Sequence, residues 1–249
     1  LGEVYGYELD GFYTTDDFSW DGSKWILNEN LTDPTELIKY NNFGPGSLKL
    51  KADEDGKFTK KRLGNTVPTV TGGFGINMRY KNFDLSAFFN YSLGNKIVNA
   101  TKLGSSYYND TKKGWNLNDN FTLANRYSWI DPSTGENMLK SSYIKSNGLD
   151  YTINRLNEIN AGASMYNPGS ITEMPLLDWA VEDGSFLRVN NISIGYTLPK
   201  VFVNKMFMQN VRIYVTGYNL YCFTKYSGAD PEVDTRRSTP MTPGVDYSA

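Results

Sequence analysis

Residues 74 to 91, FGINMRYKNFDLSAFFNY, read as two strands of alternating polarity joined by a two-residue turn. Successive side chains on a strand point to opposite faces. Phe74, Ile76, Met78 and Tyr80 therefore share one side of the first arm, while Gly75, Asn77 and Arg79 share the other. The second arm repeats the pattern: Phe83, Leu85, Ala87, Phe89 and Tyr91 oppose Asp84, Ser86, Asn90 and Ser92, with Phe88 as the single intruder. Lys81 and Asn82 make the turn, in which Asn tolerates a positive φ. Aromatic residues end the apolar face where a membrane barrel carries its girdles, which makes it a lipid face; a soluble sandwich also uses hairpins of this kind.

Working outward, four strands are expected, near Thr71 to Tyr80, Phe83 to Leu93, Phe186 to Leu198 and Asn210 to Phe223. Their connections alternate short, long, short, and the long one, about ninety residues, far exceeds the usual loop of a compact domain. That rhythm suits an outer-membrane barrel with tight periplasmic turns and long extracellular loops. In FLRVNNISIGYTLP the apolar set changes phase, from Leu187 and Val189 to Ile192, Ile194 and Tyr196. A β-bulge near Asn190 and Asn191 restores a single lipid face; alternatively the strand begins at Asn191. In the last strand Val211, Ile213 and Val215 alternate with Arg212, Tyr214 and Thr216, which places Arg212 with Arg79 on the polar side. The long insertion, rich in Asn, Gly, Pro and aromatics, reads as loop with helical turns at Asn125 to Trp129 and Ile153 to Ile159, neither with an apolar stripe long enough for an independent core.

Composition agrees with an all-β chain: 249 residues, 39% hydrophobic, 14% aromatic with 18 Tyr, and 23 Gly favour strands and turns. A formal charge of −2 supplies no basic surface, so nucleic acid is disfavoured as a partner. Cys222 is the only cysteine and there is no histidine, which closes disulfide frameworks, cysteine-rich metal sites and His-dependent triads. No run of about eighteen apolar residues occurs, so a transmembrane helix is not expected, whereas barrel strands leave no such run. The opening LGEVYGYELDGFY has neither an initiator Met nor a signal segment, as expected of a mature or internal piece.

Chemical motifs are few. Lys51 to Phe58, KADEDGKF, has the acidic turn of a calcium loop, but Lys51 and Arg62 stand where its first and twelfth ligands belong, so no metal is expected. Asp16 with Asp17 and Glu182 with Asp183 are carboxylate pairs that would serve a glycosidase only if they converged across a cleft; otherwise they are solvated loop charges. Tyr107, Tyr108, Trp115 and Trp129 in the long loop are candidate ligand-binding residues, since their rings can stack on sugars or pack on peptide; the alternative is local packing. No cofactor and no catalytic residue is expected.

VEDGSFLRVNNISIGYTLP, VRIYVTGYNLYCFTKYSGADPEV and TVTGGFGINMRYKNFDLSAFFNYSLGNKI resemble the carboxy-terminal barrel region of the SusC/RagA-like TonB-dependent outer-membrane transporters. LGEVYGYELDGFY and PGSLKLKADEDGKF resemble that family's upstream loop segments, in the same order, so the resemblance spans most of the chain. The family's turn before the glycine-rich strand reads like D-x-N-x-D-G, and Lys51 replaces its leading Asp. The resemblance implies an antiparallel transmembrane barrel segment of a plugged 22-stranded barrel, with residues 1–249 as its carboxy-terminal part and with the plug and final strand absent. It further implies import of large nutrients, oligosaccharide or peptide, across the bacterial outer membrane. The implied partners are a SusD-like surface lipoprotein, the TonB complex acting through the missing plug, and outer-membrane lipid. Asn77, Arg79, Asp84, Asn90 and Arg212 would line the lumen, and Asp230-Pro231-Glu232 matches the family's loop motif after the penultimate strand. The competing expectation is a secreted β-rich glycan-binding module.

Overall fold

Four long strands pair antiparallel in one sheet of the computed structural model, which describes residues 2–108, 116–205, 207–232 and 244–246. They are β1 (Val70–Tyr80), β2 (Phe83–Leu93), β3 (Phe186–Thr197) and β4 (Arg212–Thr224), in the spatial order β4-β3-β2-β1. The two segments either side of the long insertion are thus direct neighbours, with Ile194 opposite Leu85 and Leu187 opposite Tyr91. The chain forms two compact units, this sheet's (Leu1–Glu3, Gly64–Val98, Glu182–Ser248) and a second made of Val4–Leu63 and Asn99–Val181.

Register resolves the phase change of the third strand. Val189 pairs with Phe89 and Asn191 with Phe88, so Asn190 is an extra residue against β2. The strand starts at Phe186 and carries a bulge, which keeps Leu187, Val189, Ile192, Ile194 and Tyr196 on one face. Across β3 and β4 the register slips again at the same level, and Asn219 there takes φ 49°. In the β1–β2 turn the positive φ belongs to Lys81, at 52°, rather than to Asn82 as the sequence suggested. Phe88 does lie on the polar face, and the neighbouring strand accommodates it: a Cβ built on Gly73 would sit 2.9 Å from the Phe88 ring, and one on Gly75 3.6 Å.

In the second unit the insertion packs with the upstream segment in shared cores rather than in one of its own. One cluster joins Tyr13, Phe18 and Trp25 to Tyr127, Trp129, Met138, Tyr143, Ile144 and Leu156; another joins Tyr7, Ile38, Leu48 and Leu50 to Phe121, Tyr166, Ile171 and Leu177. Each draws on both chain segments, with T-shaped ring pairs such as Phe12–Tyr127 and Phe121–Tyr166. The short strand pair Ile171–Glu173 with Lys39–Tyr40 ties the two segments' backbones, while Leu9–Phe12 pairs with Leu48–Leu50 inside the first segment. Of the two expected helical turns, Ile153 to Ile159 falls in a helix spanning Leu149–Ile159, but Asn125 to Trp129 is not helical; Arg126 forms a bridge with Met165 instead. No helix among the described residues is long and apolar enough to cross a membrane, which says nothing of strands.

Candidate functional site

The two faces of the four-stranded sheet differ in kind. One carries Phe74, Ile76, Met78 and Tyr80 of β1, Phe83, Leu85, Ala87, Phe89 and Tyr91 of β2, the five β3 residues named above, and Ile213, Val215, Tyr221 and Phe223 of β4. Not one charge interrupts it. Aromatic pairs lie at both ends: Phe83 against Tyr196 at 4.6 Å, and Phe74 stacked on Phe89 at 4.9 Å with Tyr221 against Phe223 at 4.6 Å. The row Tyr80–Phe83–Tyr196–Ile213 and the row Gly72–Tyr91–Leu187–Phe223 are eight positions apart on β1. At ~3.4 Å per residue that is about 27 Å along the strand, or roughly 21 Å of height at a barrel tilt of about 40°. Outer-membrane barrels carry an outward apolar band about 25 Å tall between aromatic girdles, a size this face matches.

The opposite face gathers Asn77, Arg79, Asp84, Asn90 and Arg212. Arg79 sits across from Asp84, and Asn90 across from both Gly73 and Arg188. Arg212 reaches over Gly195 of the intervening strand to pair with Asp84, its Nε donating to Oδ1 at 3.0 Å. A Cβ at 195 would lie 2.5 Å from Arg212 Nη2 and 2.6 Å from Asp84 Oδ2, so any other residue there displaces the ion pair. Sequence reading passed over Gly195, although glycine inside a strand signals a close approach.

Sequence reading also passed over Arg188, the residue that organises the other end of this face. Its Nη2 donates to Asp230 Oδ1 at 2.5 Å, and Glu232 Oε2 lies 2.6 Å from Nε, a close ion pair off the N–H axis. Asn90 Nδ2 donates to Glu232 Oε1 at 3.2 Å, and the Glu232 amide donates to Asp230 Oδ1 at 2.9 Å across Pro231. The Asp230-Pro231-Glu232 motif is therefore clamped to the polar face of the sheet. Beside it a cavity of about 430 Å³ is lined by Asn90, Asn95, Phe186, Pro231 and Glu232 among others.

In the second unit, Tyr108 and Trp129 come together on a cleft of about 970 Å³, along with Asp119, Phe121, Arg126 and Tyr127. Trp129 is buried and its Nε1 donates to the Pro45 carbonyl at 2.7 Å, so it presents an edge rather than a free ring. Tyr108 is 42% exposed, the most open of the three candidate rings among the described residues. Tyr107 instead packs against the second core cluster, and Trp115 lies outside the described residues. Below this surface Asp131 accepts from Tyr143 Oη at 2.6 Å and pairs with Arg155 at 3.2 Å. The Tyr143 bond, with Ser133 and Arg155, holds the Asp131 carboxyl below its ordinary range, while burial and Asp131 push Tyr143 up to about 12.

Several of the carboxylates singled out in the sequence bind backbone. Asp53 accepts from the amides of Asp55 and Lys57 at 3.1 and 2.7 Å, with Gly56 at φ 75°, which makes the acidic turn a self-capped loop. Asp17 caps the Thr14 amide at 2.8 Å, Glu182 accepts from the Ser227 amide at 2.8 Å, and Asp183 from that of Ser185 at 3.0 Å. Among the described residues no three His, Cys, Asp or Glu side chains gather as metal ligands would.

Comparison with known proteins places this geometry in a class, that of the TonB-dependent receptors. The chain is 30% identical over 258 aligned residues to TonB-dependent receptor P3 of Formosa agariphila, covering all of this chain and 21% of that protein. It is 35% identical over 57 residues to the TonB-dependent receptor SusC of Bacteroides thetaiotaomicron, 22% of this chain and 6% of that one. Among solved structures, the RagAB peptide transporter superposes with a TM-score of 0.52 at 19% identity, covering 98% of this chain and 20% of the other, a likeness of fold. No family model matches. Within the class, the chain is a relative of the SusC/RagA-like TonB-dependent receptors. It spans about a fifth of the length of the curated relatives that it matches end to end.

Proposed function

We propose that this chain is the carboxy-terminal part of an outer-membrane active transporter that imports large nutrients, glycans or peptides, through a closed and plugged 22-stranded barrel. One observation carries the reading: a four-stranded sheet whose one face is apolar, uncharged and bounded by aromatics, and whose other face is charged and ion-paired. In such a barrel Asn77, Arg79, Asp84, Asn90, Arg188 and Arg212 line the lumen, and Val4–Leu63 with Asn99–Val181 belong to the extracellular loops. Energy reaches the plug, outside this chain, through the TonB complex, and a SusD-like lipoprotein closes the outer mouth. Tyr108, with the cleft around it, is the candidate first contact for cargo, since an exposed ring stacks on a sugar face or packs on peptide. A secreted glycan-binding module would have to hold the uncharged face in water.

The test is the electrophoretic mobility of the complete gene product from purified outer membranes, boiled and unboiled. A polypeptide several times 28.1 kDa that shifts on boiling supports a closed barrel. A protein of this size in the soluble fraction, with no heat shift, overturns the reading.

A further inference from the structure

The connection between β3 and β4 does not resemble the two-residue turn beside it. Residues 199 to 211, PKVFVNKMFMQNV, contain two lysines and no acid. A one-and-a-half-turn helix, Lys200–Lys205, buries Val203 and leaves Val201 69% and Phe202 60% exposed. On a helix 201, 202 and 205 share one side, so Lys205 flanks the exposed pair. Phe207 follows with φ 54° and complete exposure of its side chain, and Met208 beyond it is exposed too. A left-handed residue just past a helix end is the usual C-cap geometry, here filled by an aromatic residue in place of glycine. The Met208 amide donates to the Val203 carbonyl at 3.2 Å and that of Phe207 to Asn204 at 3.2 Å, so the backbone fixes this outward pose.

The strand ends that carry this segment continue an existing surface. Leu198 donates its amide to the Val211 carbonyl at 2.9 Å, extending the β3–β4 ladder beyond the pair Tyr196–Ile213. Leu198 and Val211 have the same parity as Tyr196 and Ile213, so they carry the apolar face one row past the girdle. Thr197 donates to the Asn82 carbonyl at 2.8 Å, which puts the Lys81–Asn82 turn alongside.

We propose that residues 199–211 form an interfacial anchor: Val201, Phe202, Phe207 and Met208 enter the phospholipid leaflet at the tight-turn end of the barrel, and Lys200 and Lys205 reach its anionic headgroups. Short amphipathic segments with aromatic and basic residues bind membrane surfaces in this way, by apolar insertion plus attraction to anionic lipid. The inference rests on the barrel reading of the sheet. Its occupant is the lipid surface because the segment is acid-free and cationic, and because it prolongs the uncharged face.

The experiment uses the complete receptor with Cys222 and any other cysteine replaced, in bilayers of phosphatidylethanolamine and phosphatidylglycerol. Nitroxide labels are placed one at a time through F202C, F207C, I194C and S23C, and relaxation by oxygen is compared with relaxation by a water-soluble nickel chelate. Oxygen should dominate at 194, 202 and 207, and the chelate at Ser23, an exposed loop position. If 194 is oxygen-accessible while 202 and 207 meet the chelate, or are shielded from both reagents by protein, the anchor is overturned and the barrel stands. If 194 itself meets the chelate, the barrel reading fails and the anchor with it.

Discussion

Ile192 occupies the centre of the apolar band, two rows in from the girdle at Tyr196, with Ala87 and Gly217 as cross-strand neighbours. Both neighbours are small, so nothing on the protein side shields a charge placed there. A lipid-facing Arg at a barrel's midplane costs ~2–4 kcal/mol, falling to about 0–1 near the interface. The same substitution at Ile213, in the girdle row, should therefore cost about 1 kcal/mol or less. Ser193, next in sequence to Ile192, faces the other way and lies against Ser86 and Thr216, whose hydroxyl bonds it at 2.9 Å. On that polar face Arg should cost about 1 kcal/mol, the loss of that hydroxyl bond. The expected order of destabilisation is I192R well above S193R and I213R, a gap of up to roughly 700-fold over I213R and roughly 140-fold over S193R in the folding equilibrium at 1.4 kcal/mol per decade. Urea titration of the complete receptor in phospholipid bilayers, read as the loss of the unboiled, fast-migrating form, measures it. Equal costs at 192 and 193 would refute the assignment of the faces, and equal costs at 192 and 213 would refute the position of the girdle.

Gly195→Ala should lower the urea midpoint by driving Arg212 from Asp84, and should have no such effect in a D84A/R212A background; a loss that survives in that background would mean the glycine is needed for backbone reasons alone. Arg188→Met frees Asp230 and Glu232, so trypsin should cut after Lys225 faster than in the parent, whereas D230N, which keeps Glu232 on Arg188, should change cleavage little. Asp131, with its carboxyl held below the ordinary range chiefly by Tyr143, binds fewer protons folded than unfolded. Its contribution is complete above the unfolded value of about 4 and is lost as pH falls through the folded one. Hydrogen exchange of the helix Leu149–Ile159, which carries the Arg155 partner, should therefore accelerate below about pH 4, and Y143F should flatten that acid dependence; an unchanged profile in Y143F would remove Tyr143 as the cause.

Strand parity is a local property, which is why the four wall strands and their faces were legible before any contact was known. The phase change in β3 was legible as an ambiguity, and only the partner strand, with Phe88 and Phe89 opposite Asn191 and Val189, shows that the extra residue is a bulge. Little local marks the second unit's core beyond the helical spacing of Leu149, Ile153 and Leu156. Tyr13, Phe18 and Trp25 meet Tyr127, Trp129 and Met138 from stretches about a hundred residues apart, and neither stretch has a helical or strand period to reveal a buried face. Arg188 escaped notice for the same reason, since its acidic partners lie 42 and 44 positions later, on the far side of β4.

Phe88 and the glycines opposite it show how two irregularities explain one another. An aromatic on the polar face breaks the alternation of β2, and glycines at 73 and 75 weaken β1, since each contributes no side chain to the sheet. Paired in register, the Phe88 ring covers the bare backbone of Gly73 and Gly75, as an aromatic rescues a strand glycine. The same pairing recurs on the wall: Tyr91 lies over Gly72, its hydroxyl 2.7 Å from where a Cβ would be, and Arg212 with Asp84 lies over Gly195. A glycine within a wall strand here seats a large side chain from its neighbour, so glycines and parity-breaking bulky residues in a sequence of this kind specify register between strands that alternation alone leaves free to slide by two.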